Sequence, residues 1–388
     1  MKKVLCLGTA GKGGQDERRI YRLSKWLNAD VSYYFVDRSI SKVEAAKDVW
    51  RVLKSEPWDL VYQEGTGLAG GVNLILASLL RQQPYVISSG DPIAGFFRTT
   101  KGNLVGNIFE IYEHLLYRYS AGFMGWTPYL TGVAMRMGAP KAVTVEGAVA
   151  SDIFYPYSPE KRRAIRQKLG IPENHLVCGV VGSLIWVPPQ SYCYGYELVE
   201  ILKRVKRDDI SFLIVGDGDG KTRMEEAVPK SLRSRIVFTG RLPESEVVSA
   251  MNAMDIGFVT LFGEMGNYRL TTKLPEYLGC GVPVAMNPTA GFYDYAANGG
   301  WALPEGHPSD RFFWDRSALW LDNLSWQEVK TKKEAAVEVA AKYFDYEVIA
   351  PKFRDFMHRL LDPKSLNQDK VIAKTDEPGE TESSKLLF

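Results

Sequence analysis

Over residues 1–157, short runs of β-branched and aromatic residues alternate with longer, helix-like segments. The short runs Val4–Leu7, Val31–Val36, Leu60–Gln63, Tyr85–Ser88, Gly122–Gly125 and Ala142–Val145 predict strands. Between them, Arg18–Leu27, Lys42–Lys54, Leu68–Arg81, Val105–Tyr119 and Tyr129–Met137 predict helices. Such alternation is the pattern of a parallel sheet covered by helices.

After Pro156 a polar, basic connector ends at Gly170-Ile171-Pro172, and a second alternation starts. Its predicted strands are Val177–Val181, Phe212–Val215, Ile236–Phe238, Ile256–Val259 and Val282–Ala285. Helices are expected at Gly195–Arg207, Glu244–Ala253 and Lys273–Gly279, among others. The fold class is therefore α/β, two doubly wound, Rossmann-like domains in series, 1–157 and 158–344. The segment Trp326–Leu361 reads as helical throughout, with Val337, Val339, Phe344, Ile349, Phe353, Phe356 and Leu360 spaced for buried faces. Beyond Pro363 the chain turns polar and charged, and 363–388 is expected to be a disordered tail.

Length supports two domains, because 388 residues exceed what one core usually serves. The 45% hydrophobic and 24% charged content is that of a globular protein, and a net charge of +2 gives no reason to expect a nucleic-acid partner. The densest basic run, Lys161, Arg162, Arg163, Arg166 and Lys168, reads as a solvated helix face. Four scattered cysteines without CxxC spacing suggest free thiols in a reducing compartment. Val4–Leu7 is too short for a signal-peptide core, and Leu68–Leu80 is too short to cross a bilayer. A cytoplasmic location follows, with peripheral contact on the cytoplasmic face of a membrane left open.

The strongest chemical signal is the run Thr271-Thr272-Lys273-Leu274-Pro275-Glu276-Tyr277-Leu278-Gly279-Cys280-Gly281-Val282-Pro283-Val284-Ala285. It reads as a capped helix start, a short helix, a glycine stop and a buried strand. Thr272 is positioned to cap, and Pro275 is tolerated in the first turn. Lys273 and Glu276 share a face, so an ammonium suited to phosphate lies beside a carboxylate suited to a ribose diol. The alternative is a plain Lys–Glu pair on a packing helix.

In the first domain, the loop Gly8-Thr9-Ala10-Gly11-Lys12-Gly13-Gly14 can bring the Gly13 and Gly14 backbone near a phosphate or sugar, or serve only as a tight turn. Asp91, in Ser89-Gly90-Asp91-Pro92, sits at a strand's C-terminal edge, as a ligand contact or a turn former, and Glu64 is a weaker candidate. His114, His175, His307 and His358 are too dispersed to imply a metal, and Asp217-Gly218-Asp219 reads as a turn.

The Lys273-to-Ala285 run resembles the Lys-x-x-Glu-Tyr-Leu-x-x-Gly-x-Pro-Val signature of retaining glycosyltransferase family 4. Phe212–Gly218, Ile236–Gly240, Met254–Val259 and Val145–Pro156 resemble further family segments in the expected order. The resemblance covers the second domain well and the first in outline. It implies a GT-B fold, with the helix near Tyr346–Leu361 crossing back to the N-terminal domain.

It also implies metal-independent transfer from a nucleotide sugar, with no cofactor, to a glycan, lipid-linked or small-molecule hydroxyl acceptor. By this resemblance Glu276 binds the donor ribose, Lys273 lies near the phosphates, and Gly216, Asp217 and Gly218 pass close to the nucleotide. Thr272, Leu274 and Ser183 join the donor-binding set, and Asp91 contacts a sugar. The chain departs from the pattern at Tyr268, where the family has a second Glu, and at Ser183 and Tyr194, where it has cations. Lys273, Arg269 and the helix-start amides are left to neutralise the diphosphate. A sugar-nucleotide epimerase, a sugar phosphorylase and a catalytically silent binding subunit are the competing readings.

Overall fold

Six strands of the N-terminal half pair in parallel: β1 (Lys3–Gly8), β2 (Asp30–Phe35), β3 (Leu60–Glu64), β4 (Tyr85–Ser89), β5 (Gly122–Gly125) and β6 (Ala142–Thr144). They are connected by α1 (Gln15–Ser24), α2 (Lys42–Ser55), α3 (Leu68–Arg81), α4 (Ile93–Lys101), α5 (Asn103–Arg118) and α6 (Pro128–Arg136). The structure, a computed structural model, describes residues 1–362, so the tail expected at 363–388 lies outside the described residues. Strands β3 and β4 are buried along their whole length, covered on both faces, including the polar Gln63, Glu64, Ser88 and Ser89 at their C-terminal ends. The sheet order is 2-1-3-4-5-6, which puts its topological switch point between β1 and β3.

The second half begins with α7 (Pro159–Lys168) and builds another parallel sheet from β7 (Leu176–Val181), β8 (Ile210–Val215), β9 (Ile236–Gly240), β10 (Ile256–Val259), β11 (Val284–Met286) and β12 (Gly300–Ala302). Its helices are α8 (Tyr196–Leu202), α9 (Gly220–Ala227), α10 (Glu244–Ala253), α11 (Gly263–Tyr268), α12 (Lys273–Gly279), α13 (Arg311–Asn323) and α14 (Trp326–Tyr343). The order β12-β11-β10-β7-β8-β9 reverses between β7 and β10, the switch point of this sheet. Ligands of open α/β sheets sit outside the strand C-termini at such points. Strand β11 starts two residues later than expected, because Pro283 donates no hydrogen bond and the Val282 amide is spent on Tyr277 O at 2.9 Å.

The expected continuous C-terminal helix is two helices. Phe344 leaves the helical path into the core, and the Asp345 carboxylate caps α15 (Tyr346–Leu361) by accepting from Glu347 N at 2.8 Å. Val337, expected to be buried, is 39% exposed, whereas Phe344, Ile349 and Phe353 are fully buried. Helix α15 crosses to the N-terminal sheet. Phe353 meets Tyr62 of β3 at 5.3 Å between rings, and Lys352 Nζ donates to both Glu146 oxygens at 2.9 Å.

The basic run is not a solvated face throughout. Arg166 is buried, and Arg162, Arg166 and Lys333 of α14 converge on the fully buried Asp255 carboxylate at 2.5, 2.5 and 2.7 Å. The Val177 amide donates to the same group at 2.8 Å, so Asp255 ties α7 and α14 to the start of β7. Three cations hold its carboxyl far below the usual range despite burial.

Candidate functional site

Three cavities run together in the cleft between the sheets. The first, about 610 Å³, lies outside β7 and β8, against Ser183, Gly216, Asp217, Gly218, Arg241 and Lys273. The second, about 760 Å³, shares Ser183 and Lys273 with it and continues over the end of β10 to Tyr192, Phe262 and, from α4, Phe96. The third, about 300 Å³, shares Arg269, Thr271 and Thr272 with the second and reaches the N-terminal switch point at Thr9, Asp16 and Glu64. Both switch points therefore open onto one space, and Lys273 and Arg269 stand where the cavities join.

Lys273 and Glu276 form a direct ion pair at the start of α12. Glu276 is almost fully buried, and its carboxylate also accepts from Gln15 Nε2, across the cleft, at 2.8 Å. Burial raises its pKa, against the lowering effect of Lys273. Lys273 lines the first two cavities, whereas Glu276 lines none of the three and lies buried behind it, held by Lys273 and Gln15. Gln15 was not foreseen; nothing near it in sequence announces a partner 261 residues away.

The start of α12 departs from expectation. Thr272 makes no side-chain cap, and Thr271 takes that role, its hydroxyl accepting from Lys273 N at 3.4 Å and its carbonyl from Leu274 N at 3.2 Å. The Leu274 side chain is fully buried in the core and its amide is engaged, so it offers a ligand nothing in this conformation. The groups this stretch leaves open to an anion are therefore the side-chain cations Lys273 and Arg269 rather than the helix-start amides.

The Gly216-Asp217-Gly218 loop needs its glycines. At φ of 143° and 155° the backbone passes so close to residues 182–184 that a Cβ would fall 1.9 Å from Gly182 O or 2.4 Å from Leu184 O. Asp217 accepts from the Gly218 amide at 3.0 Å, as a turn residue does. Among the described residues no three of His, Cys, Asp and Glu are gathered to hold a metal.

Asp91 and Arg269, both singled out in the sequence, meet across the third cavity with Nε 2.6 Å from Oδ1. Tyr194, at one of the missing cation positions, is structural, its hydroxyl donating to Phe258 O at 2.6 Å. Tyr268 contributes its carbonyl, which accepts from Thr127 across the cleft at 2.8 Å. Arg241, which sequence reading passed over, supplies a further cation beside the Gly-Asp-Gly loop; its signal was a basic residue directly after the glycine that ends β9.

The glycine loop is less open than expected. Gly13 and Gly14 do not line these three cavities, and the Gly13 amide donates to Glu17. Glu64 borders the third cavity, but its carboxylate is committed to Arg19 Nε at 3.1 Å, Ser88 Oγ at 2.8 Å, Trp126 Nε1 at 3.1 Å and the Tyr62 hydroxyl. Glu197 supports the wall of the second cavity from behind. It accepts from Tyr192 and Thr260 hydroxyls at 2.8 Å each, with burial pushing its pKa up to about 7.

Asp16 was missed altogether. It lines the third cavity, accepts from Ala10 N at 2.9 Å, and has its pKa pushed up to about 6 by burial and by the nearby Glu64 carboxylate. Between pH ~4 and that value the folded chain keeps a proton that the unfolded chain has lost, so stability falls as pH rises through this window. Asp16→Asn should flatten that fall. Urea midpoints at both ends of the window check it, and an equal drop in variant and wild type would remove Asp16 as the cause.

Residues 175–313 match the family model described as Glycosyl transferases group 1. The 2-deoxystreptamine glucosyltransferase of Streptomyces kanamyceticus is 31% identical over 169 residues, 42% of this chain and 41% of that protein. The GDP-mannose-dependent alpha-mannosyltransferase of Mycolicibacterium smegmatis is 27% identical over 183 residues, 44% of each chain. The chain thus spans less than half the length of these curated relatives. Among solved structures, Anabaena HepE in complex with UDP and glucose has a TM-score of 0.70 at 18% identity, covering 92% of this chain and all (100%) of that one. Sucrose-phosphate synthase from Thermosynechococcus elongatus reaches 0.72 at 13% identity, covering 93% and 99%. These low-identity likenesses show the fold, the GT-B architecture of two facing Rossmann-like domains, and the similarity to the group 1 glycosyltransferase model falls on the domain that carries Lys273 and Glu276.

Proposed function

We propose that this chain transfers a sugar from a nucleoside-diphosphate donor to a hydroxyl acceptor with retention of anomeric configuration, as resemblance to family 4 suggests. The observation that carries the reading is Lys273, which lines both of the cavities that meet at the switch point of the C-terminal sheet, with the buried Glu276 carboxylate paired to it from behind. In this reading the nucleoside lies along Gly216–Gly218 and Arg241. Glu276 then exchanges its Gln15 contact for the ribose hydroxyls, and Lys273 with Arg269 faces the diphosphate. Cations fixed in place stabilise the charge that grows on the leaving group without reorganising.

The bond from the anomeric carbon to the diphosphate breaks as the bond to the acceptor oxygen forms on the same face. The departing phosphate oxygen takes the acceptor's proton. No protein nucleophile, metal or further cofactor enters this scheme, and Asp91 orients a sugar at the rim of the third cavity. The acceptor is a glycan, a small molecule or a lipid-linked sugar, and the setting is polysaccharide assembly in the cytoplasm. Four buried, unpaired thiols support a reducing compartment, and no helix among the described residues is long and apolar enough to cross a membrane.

A thermal-shift panel of UDP-, GDP- and ADP-sugars tests the reading, since a ligand that binds only the native state raises its stability. For the sugar that binds, Glu276→Gln should weaken affinity by about 1.5–3 kcal/mol, the scale of hydrogen bonds to a charged group. Unchanged binding in the folded variant would remove Glu276 from the donor site. A silent binding subunit is the second reading, favoured by the loss of a cation at Tyr194. Slow hydrolysis of the bound donor decides for transfer, and binding without any turnover decides for the silent subunit.

A further inference from the structure

Helices α3 and α5 lie side by side on one face of the N-terminal sheet, and both present apolar side chains outward. On α3, Leu68, Val72, Leu76 and Leu79 are exposed at spacings of four, four and three residues, and no charge occurs between Leu68 and Leu80. On α5 the stripe is Leu104, Ile108, Ile111 and Leu115, with Leu104 77% and Ile111 64% exposed. A helix covering a core ordinarily gives its outer face to polar residues. Two neighbouring helices that do the opposite form a contiguous apolar patch of the kind that marks a docking surface.

On α3, α4 and α5 the exposed charges outside ion pairs are of one sign among the described residues. Arg81, Lys101 and Arg118 are exposed, and among the described residues none of them forms an ion pair. The exposed carboxylate on these helices, Glu110, is held by Arg98 at 2.6 Å, while Glu113 is buried and accepts from the Ile93 and Ala94 amides. Apolar side chains ringed by cations complement an anionic bilayer surface, where the former enter the acyl boundary and the latter meet head groups. The same ring opposes a two-fold copy of this face, which would bring like charges together.

The patch is also continuous with the cleft. Helix α4 is clamped to α5 by the stacked rings of Phe97 and Phe109, 3.7 Å apart, and carries Phe96, Thr99 and Thr100 into the wall of the 760 Å³ cavity.

We propose that the α3–α5 face docks this protein on an anionic lipid surface, with the cleft opening beside it. As a means of delivering a lipid-held acceptor the docking rests on the transfer reading above; as a binding surface it rests on the face itself. Flotation of the full chain with vesicles of equal parts phosphatidylcholine and phosphatidylglycerol tests it. The wild type should float with these vesicles and much less with phosphatidylcholine alone. Ile108→Ser combined with Ile111→Ser should lower the bound fraction about tenfold or more, and Lys101→Glu with Arg118→Glu should abolish the preference for the anionic vesicles. The thermal shift given by the nucleotide sugar should be unchanged in both variants, which shows that they fold and that the cleft is intact.

Failure of the wild type to float, or equal flotation of the serine variant, overturns the proposal. So does a dimer in solution that the serine substitutions split, which would assign the face to a second copy. Loss of donor binding with flotation retained would count against transfer and leave docking standing.

Discussion

Asp255→Asn is expected to cost the fold about 3–5 kcal/mol, the scale of breaking a buried ion pair by removing one partner. The buried carboxylate is the shared acceptor of Arg162, Arg166 and Lys333, and asparagine would leave three cations around a neutral amide. The effect should depend on pH with a definite sign. The folded pKa of Asp255 is depressed, so its stabilisation is present above the unfolded value of about 3.9 and is lost as pH falls toward the folded one. Urea midpoints should therefore differ most between wild type and variant near neutrality and converge in acid. A variant within ~0.5 kcal/mol of wild type at pH 7 would mean that the three cations are satisfied by the carbonyls they also contact, such as Ala253 O for Arg166 at 2.9 Å.

Lys273→Ala is expected to lower kcat on the order of 10²-fold or more while changing KM less, by analogy with loss of a single transition-state donor. By the resemblance to family 4, Ser183 and Tyr194 stand where two further cations are expected, and the first amides of α12 are engaged, so Lys273 has little local support. In the proposed transfer, charge on the diphosphate grows as the glycosidic bond breaks, which weights this cation toward turnover rather than ground-state binding. Arg269 is the control, because its Nε already faces Asp91 at 2.6 Å and it borders the same cavities. Near-normal kcat for Lys273→Ala together with loss in Arg269→Ala would transfer the phosphate role to Arg269. If neither substitution matters, Arg241 becomes the cation to test.

The sequence by itself determined what short-range periodicity can carry. Strand and helix order was legible because fully buried parallel strands are near-continuous apolar runs, as in β7 and β8, and because Pro and Gly punctuate them. The Lys273–Glu276 pair was legible for the same reason: residues three apart on a helix must share a face. The break at Phe344–Asp345 was not, since helical spacing on either side reads as continuous and only the burial of Phe344 shows why the path turns.

Tertiary structure decided everything that depends on distant partners. It placed Gln15 on Glu276 and Asp91 on Arg269 across the cleft, gave the Gly13 amide to Glu17, and buried part of a basic run whose spacing suited a solvated face. It also put the switch point of the N-terminal sheet between β1 and β3, and turned the apolar residues of α3 and α5 toward solvent as well as core. The physical reason is common to all of these. A side chain's chemistry is set by its residue type, but its partners, burial and therefore charge state are set by which elements the sheet order makes neighbours, and no local pattern in the chain records that.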